Sequence, residues 1–330
     1  MIFGSVPVET AVGAILAHSM PAASGRIAKG TVLSAAHVDA LAKAGHAEVT
    51  VARLEPSDVE ENHAAQELAQ AIAPDPIHQE VRISAAGAGR VNLYATSAGL
   101  VEVYADKINA INSVHPMITV ATVPNLHRVD TGTMLATIKI ISYAVPVAAL
   151  EEACAVADHA LFVMKREYVL ATLIETQVGD TTPSPKGRAA MIARTERLDL
   201  PMSDRVIVPH NSTAIAQAIK DAPGDFVFIL TASATSDPHD VAPEAVRAAG
   251  GQVEAFGMPV DPGNLLFFGD VAGKPVIGLP GCARSPALNG ADWVLERLIC
   301  GETLTQADIS AMGVGGLLKE IPTRPRPRAL

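Results

Sequence analysis

Asp237-Pro238-His239-Asp240 ends a segment of small, hydroxyl-bearing residues that includes Ser233, Thr235 and Ser236. Small side chains let a ligand approach the backbone, and hydroxyls donate to phosphate oxygens. The same residue types also form ordinary turns. Asp240 lies just before a predicted helix over residues 241–249, where aspartate is a favoured N-cap. A hard carboxylate oxygen beside an anion is also a ligand for magnesium bound to phosphates, and the two roles can coexist. Lys186 and Arg188 follow Pro183-Ser184-Pro185. They have the charge and donors to pair with a phosphate. Without a ligand they are solvated charges at a helix start, where the helix dipole does not favour them.

A second candidate occupies residues 258–286. Two apolar runs, 265–268 and 275–279, are bounded by glycine and proline and predict short buried strands. Residues 269–274 are short enough for a hairpin loop. The second run ends in Gly278-Leu279-Pro280-Gly281 and leads to a helix predicted to begin near Ser285. A strand, a glycine turn and a helix start place free backbone N–H groups at one point, which suits an anion. Cys282 follows Gly281, where a helix start would lower its thiol pKa and make it a nucleophile or a soft-metal ligand. As a structural residue it would be a small buried filler. The ten histidines show no HExxH spacing, and there is no GxSxG elbow or GxxxxGK[ST] loop. Gly87-Ala88-Gly89 lacks the third glycine and the strand-to-helix setting of a dinucleotide fingerprint.

These segments need a scaffold. The 330 residues are enough for two or three domains. The chain is 49% hydrophobic but only 4% aromatic, so aliphatic residues build the interior, as in a mixed α/β protein. A formal net charge of -10 weighs against a general nucleic-acid surface. Three widely spaced cysteines, Cys154, Cys282 and Cys300, give neither a disulfide framework nor a CxxC metal site. No apolar run approaches the roughly 18 residues of a membrane span. With no signal-peptide pattern, the expected setting is cytoplasmic.

Four regions are expected. Residues 1–75 predict a small α/β unit: Val12, Ile15, Leu16 and Met20 are spaced for a helix over 9–19. Ser34 caps a helix to 44 stopped by Gly45, residues 48–53 form a strand, and Ser57-Asp58-Val59-Glu60 is a capping box for a helix ended by Pro74. Residues 76–145 predict a β-rich module with strands over 91–94, 100–104, 117–123 and 134–141 and a short helix over 106–112. Lys139 in its last strand has the placement of a carrier lysine, or of a solvent-facing residue on an alternating strand. Residues 146–301 alternate strands (169–175, 205–208, 226–231) with helices (147–158, 188–198, 212–221, 241–249, 286–299). This predicts a three-layer α/β/α domain with a mostly parallel sheet. Ligands of such sheets bind beyond the C-terminal strand ends. The loops 176–188, 232–240 and 278–285 are placed there. Residues 302–330, closing in Ile-Pro-Thr-Arg-Pro-Arg-Pro-Arg, predict an extended tail or linker.

Gly273-Lys274-Pro275-Val276-Ile277-Gly278-Leu279-Pro280-Gly281 is similar to a run in the molybdopterin-binding domain of gephyrin-type molybdopterin molybdotransferases. Pro262-Gly263-Asn264 with the strand after it resembles that family's Pro-Gly-Lys-Pro segment, and residues 225–240 stand in place of its Gly-Gly-x-Ser-x-Gly-x-x-Asp loop. In the N-terminal half, Val6-Pro7-Val8-Glu9 and Lys29-Gly30-Thr31-Val32-Leu33 resemble its opening segments. The whole chain resembles bacterial proteins in which this arrangement precedes a molybdenum-cofactor nucleotidyltransferase domain.

The resemblance implies a ligand of the molybdopterin or molybdenum-cofactor type. Backbone groups at Gly278, Pro280 and Gly281 and the Thr235, Ser236 and Ser285 hydroxyls would hold its phosphate. Ser233, Pro262, Gly263, Asn264 and Cys282 would line the wall, and Lys186, Arg188 and Arg284 would neutralise charge. Asp240 would hold magnesium and act catalytically. The implied role is molybdenum-cofactor maturation, by molybdate insertion or cofactor handover. A nucleotidyltransferase and a client molybdoenzyme are the implied partners, and a homo-oligomer the implied state. The departures are Ala232 and Ser233 for the paired glycines, Asn264 for a basic residue, and Cys282-Ala283 for Asn-Pro. The lost glycines, Asn264 and the expected linker favour a non-catalytic carrier as the alternative, with a nucleotide-binding pyrophosphatase-like enzyme as a third reading.

Overall fold

The computed structural model describes residues 1–318. The chain forms two compact units, one of residues 1–97 and 101–163, the other of residues 98–100 and from 164 onward. In the first unit, β1 (Ile2–Pro7), β2 (Ile15–Leu16), β3 (Met20–Ala22), β4 (Gly25–Ile27), α1 (Ala35–Lys43) and β5 (Glu48–Arg53) come first. Next are β6 (Asp58–Glu60), α2 (Glu61–Ile72), β7 (Val81–Ile83), β8 (Arg90–Ala95), β9 (Gly99–Val103) and α3 (Ala105–Val114). Then follow β10 (Ile118–Thr122), β11 (His127–Val129), β12 (Met134–Ile140), β13 (Ala144–Pro146), α4 (Val147–Ala157) and β14 (Leu161–Met164). The second unit contains β15 (Ala171–Gln177), α5 (Pro185–Glu196), β16 (Val206–Pro209), α6 (Ser212–Asp221), β17 (Phe226–Leu230) and α7 (Val241–Ala248). It continues with β18 (Gln252–Phe256), β19 (Phe267–Val271), β20 (Lys274–Gly278), α8 (Gly290–Ile299) and α9 (Gln306–Ala311).

In the first unit, β1, β5 and β2 make a small antiparallel sheet. Leu16, Leu33, Leu41 and Val51 fill its core with α1. Ser34 caps α1 as expected, accepting from the His37 N–H. The helix expected over residues 9–19 does not form. Val8–Thr10 is a single 3-10 turn, and the chain then pairs with residues 30–33 through Gly13 N–H to the Leu33 carbonyl and Leu16 N–H to the Thr31 carbonyl. Ala11, Ala14 and Leu16 are buried and Val12 is exposed, so the spacing reflects pairing with residues 30–33. The capping box at 57–60 also yields to tertiary pairing: β6 pairs with β13, and the Glu60 carboxylate caps α2 by accepting from the Asn62 and His63 N–H groups. A four-stranded sheet, β10-β12-β8-β7, is packed against α2 and α3, and α4 packs on those two helices.

The second unit is a three-layer α/β/α structure. Its six-stranded sheet has the order β16-β15-β17-β20-β19-β18. The first four strands are parallel, and β19 runs antiparallel to both neighbours. The apolar run of β17 alternates between the two faces: Phe226, Phe228 and Leu230 pack with residues of α5 and α8, and Val227 and Ile229 with those of α6 and α7. A strand buried on both sides must be apolar throughout. The β19–β20 hairpin turns at Ala272 and Gly273, both at positive φ, a conformation that glycine adopts without a Cβ clash.

Three features here differ from the sequence reading. The helix expected from 286 begins at Gly290, because Asn289 and Asp292 form the capping box. β18 occupies residues expected as a connection. Within the region expected as a tail, residues 302–318 carry α9, with Ile309 and Met312 buried in the core, and the Leu318 N–H donates to the Asp261 carbonyl. The rest of the expected linker, 319–330, lies outside the described residues. No helix among the described residues is long and apolar enough to cross a membrane.

Candidate functional site

The loops after β15, β17 and β20 follow neighbouring parallel strands and therefore leave one edge of the sheet. Thr176, at the end of β15, joins two of them. Its hydroxyl oxygen accepts from the Ala232 N–H at 2.7 Å and lies 2.9 Å from His210 Nδ1. Arg284 joins the third, donating to the Thr231 carbonyl at 2.6 Å. A cavity of about 300 Å³ opens between these loops, lined by Thr176, Thr181, Thr182, Ser184, Ala232 and Arg284, among others. Its size is at the lower end for small-molecule pockets. Hydroxyls, backbone and one guanidinium make a surface suited to an oxyanion.

Two ion pairs hold these loops. Glu175 is buried, and Arg205 grips it with Nε and Nη2 at 2.6 and 3.1 Å while also donating to the Pro183 carbonyl. This fork fixes the loop after β15 to β16, and the Glu175 carboxylate raises the Arg205 pKa further above its ordinary value. Arg194 is the deeper anchor. It is 5% exposed and pairs with Asp292 at 2.7 Å. Its other donors reach the carbonyls of Ala190, Ala283, Ser285 and Ala287. One guanidinium therefore ties α5, α8 and the loop carrying Arg284. Arg194 and Thr176 stand outside the residues singled out from sequence. An arginine within a helix and a threonine ending a strand carry no local signal of what they reach.

The expected site residues divide into separate groups. Arg284 lines the cavity, as does Ala232. The segment 231–240 is tied mainly to itself. Thr231 Oγ1 donates to the Ser233 carbonyl and lies 3.4 Å from Thr235 Oγ1, and Thr235 is buried. Asp240 caps α7, with one carboxylate oxygen accepting from the Val241 N–H at 2.7 Å and the other from the Ser236 N–H at 3.1 Å. Lys186 is exposed on the first turn of α5, and Arg188 turns to the Ser203 carbonyl; neither lines the cavity.

The helix start expected at Gly281 is replaced by a four-residue 3-10 turn, Gly281–Arg284. Its Ala283 N–H donates to the Pro280 carbonyl and the Ser285 N–H to that of Cys282, so the macrodipole invoked for Cys282 is missing there. Ser285 Oγ accepts from the Ala287 N–H. Gly278 is required by packing: a Cβ there would lie 1.8 Å from the Phe267 ring. Pro262, Gly263 and Asn264 lie in the β18–β19 connection. There a Cβ on Gly263 would meet the Gly290 nitrogen at 2.6 Å, and the Pro262 carbonyl accepts from the Gly290 N–H. None of the three lines the cavity.

Among the described residues no group of three or more His, Cys, Asp or Glu side chains gathers to hold a metal ion. At Asp240 a single carboxylate, engaged through both oxygens by backbone N–H groups, is a poor match to magnesium, which is normally held by one or two free carboxylates with phosphate and water.

Fold and cavity thus define an α/β/α unit with a polar pocket at the carboxyl ends of its parallel strands. Residues 5–53, in the other unit, match a family described as a domain of unknown function, DUF8806. No curated protein matches the chain in sequence. Among solved structures, the chain is similar to a molybdopterin biosynthesis MoeA protein from Pyrococcus horikosii, at 16% identity and a TM-score of 0.32 over 92% of this chain and 76% of that one. It is also similar to a molybdenum cofactor biosynthesis protein B, at 15% identity and a TM-score of 0.28 over 40% of this chain and 88% of that one.

Proposed function

We propose that the carboxy-terminal unit binds a molybdopterin-type ligand, with its phosphate in the cavity lined by Thr176 and Arg284, and serves molybdenum-cofactor maturation. The observation that carries this reading is Arg284. The residue follows the Gly-Leu-Pro-Gly run that resembles the molybdopterin-binding family, and it lines a cavity at the ligand-binding edge of the sheet. Its guanidinium supplies charge and directed donors for a phosphate, and the Thr181, Thr182 and Ser184 hydroxyls supply neutral ones. Arg194 and the Arg205–Glu175 fork hold two of the loops in place before the ligand arrives, which lowers the ordering cost of binding.

The engagement of Asp240 favours one form of this role, a carrier that binds and hands over the cofactor without turnover. A nucleotidyltransferase and a client molybdoenzyme as partners, a homo-oligomeric state and a cytoplasmic setting rest on the sequence resemblance alone.

Calorimetric titration with molybdopterin or its adenylate tests binding. Arg284→Ala removes a charge-assisted contact of about 1.5–3 kcal/mol and is expected to weaken binding about 10- to 100-fold. Absence of saturable binding, or equal binding by the variant, defeats the proposal. With molybdate and magnesium added, the carrier form predicts no turnover. Turnover lost in Asp240→Ala would refute the carrier form and support an enzyme. The same variant loses a helix cap worth about 1 kcal/mol, so its folding is checked in parallel.

A further inference from the structure

The amino-terminal unit contains a second cavity, of about 470 Å³, larger than the one at Arg284. Lys29, Thr31, Glu61, Lys139 and Tyr143 are among its lining residues. With Ala88, the lining comes from four separate stretches of chain, brought together by specific backbone devices. The α2 start supplies Glu61, whose N–H donates to the Tyr143 carbonyl. The β7–β8 connection ends in a tight turn closed by mutual Gly87–Arg90 hydrogen bonds, with both Ala88 and Gly89 at positive φ. The Gly89 N–H donates to Asn62 Oδ1 at 2.9 Å, which fastens this turn to α2. Lys139, on β12, donates to the Ala88 carbonyl and lies 3.8 Å from the Glu61 carboxylate.

Position 89 has a positive φ and a Cβ there would lie 2.8 Å from the Ile140 carbonyl oxygen, so glycine suits it. A Cβ there would stand 2.6 Å from Glu61 Oε2 and 2.9 Å from Lys139 Nζ. The backbone thus approaches a lysine–carboxylate pair closely at a positive-φ turn. The expected alternatives for Lys139 were a carrier lysine or a solvent-facing strand residue. Lys139 alternates with buried Ile138 and Ile140, as a solvent-facing strand residue does, and its partly exposed side chain reaches the Ala88 carbonyl and Glu61. The N–H groups of the first α2 turn are already capped by Glu60, so side chains, and not the helix end, give the cavity its chemistry.

Two ammonium groups, Lys29 and Lys139, face one carboxyl group, Glu61. Burial moves the Glu61 carboxyl above the ordinary glutamate range, against the opposing pull of Lys139 and Lys29; Glu60 adds to the rise. The lining has an excess of positive charge and one carboxyl group, which in its ionised form accepts hydrogen bonds.

We propose that this cavity is a binding site for a small phosphate or phosphomonoester, with Lys29 and Lys139 pairing with its charge and Glu61 hydrogen-bonding its protonated oxygen. A phosphate that retains a proton can donate to a carboxylate; sulfate at neutral pH has no proton to offer and meets that carboxylate as a like charge. The site therefore discriminates between two tetrahedral oxyanions of similar size by hydrogen bonding. The proposal is independent of the molybdopterin reading, because its residues all belong to the other unit.

Titration of the full chain with inorganic phosphate and with sulfate, at matched ionic strength near neutral pH and followed by calorimetry and amide NMR, tests it. Phosphate is expected to bind saturably, shift the Gly89 amide and outcompete sulfate by about tenfold, the equivalent of one hydrogen bond to a charged group. Lys29→Ala, an exposed position at which truncation leaves folding intact, should weaken phosphate about two- to fivefold, as expected for a partly solvent-screened charge. Glu61→Gln, a near-isosteric change, should abolish the preference for phosphate over sulfate. No saturable phosphate binding, binding indifferent to Lys29→Ala, or a phosphate preference retained in Glu61→Gln would each overturn the proposal. Arg284→Ala should leave phosphate binding at this site unchanged; loss in that variant would move the phosphate to the other cavity and overturn it as well.

Discussion

Removing Arg194 gives the sharpest test of how the candidate cavity is built. The Arg194 and Asp292 side chains are 4% and 3% exposed. Arg194→Met leaves the Asp292 carboxylate buried without its partner and deprives four carbonyl groups of a donor. Breaking a buried ion pair from one side costs about 3–5 kcal/mol, because the remaining charge has lost compensation for its desolvation. Three of the carbonyls lie in residues 283–287, so the same change loosens the segment that carries Arg284, and ligand affinity should fall with stability. The double variant Arg194→Met/Asp292→Leu removes both charges. It should recover more than half of the loss, less about 1 kcal/mol for the capping box that Asp292 shares with Asn289. Trp293 is the sole tryptophan and lies in α8 beside Asp292, so its fluorescence during urea unfolding reports the carboxy-terminal unit alone. That local signal avoids forcing a two-unit chain into one two-state transition. A cost below about 1 kcal/mol for the single variant, or a double variant no more stable than the single, would refute the assignment of Arg194 as the anchor.

Gly278→Ala places a methyl carbon against the Phe267 ring and should cost about 1–3 kcal/mol or more through overpacking, read from the same urea transition. Burial pushes the thiols of Cys154 and Cys300 up to about 11 and about 12. Alkylation of the native protein at pH 8 should therefore spare Cys300 until unfolding, as checked by peptide mass spectrometry. The Glu61 carboxyl is raised mainly by desolvation, so the folded state favours its protonated form. Its contribution to stability is present below the unfolded glutamate pKa and is lost as pH rises through the higher folded value. Glu61→Gln should thus gain stability relative to the parent between pH 4 and pH 7; a constant difference across that window would contradict the burial argument.

Where local chemistry and tertiary pairing agreed, elements were legible from sequence. Ser34 and Gly45 bracket α1, and Asn211 and Ser212 open α6, because side-chain caps and a positive-φ glycine act within a few residues. The uniformly apolar run of β17 announced a strand covered on both faces. The region of residues 9–19 was misleading, since helical spacing there is filled by residues that pair with 30–33 instead.

The sequence by itself determined the α/β/α layering of the carboxy-terminal unit, the strands whose ends carry the candidate cavity and the three loops placed there. It did so because hydrophobic periodicity and turn chemistry operate over a few residues. Only the tertiary structure decided which side chains serve those loops. It assigned Asp240 to a helix cap, turned Arg188 to the Ser203 carbonyl, and brought Thr176, Arg194 and Arg284 into the support or lining of the cavity. It likewise joined Glu61, Gly89 and Lys139 across 78 residues of chain. Such contacts depend on strand order and on where a long side chain finds carbonyls to satisfy, and no local pattern encodes either.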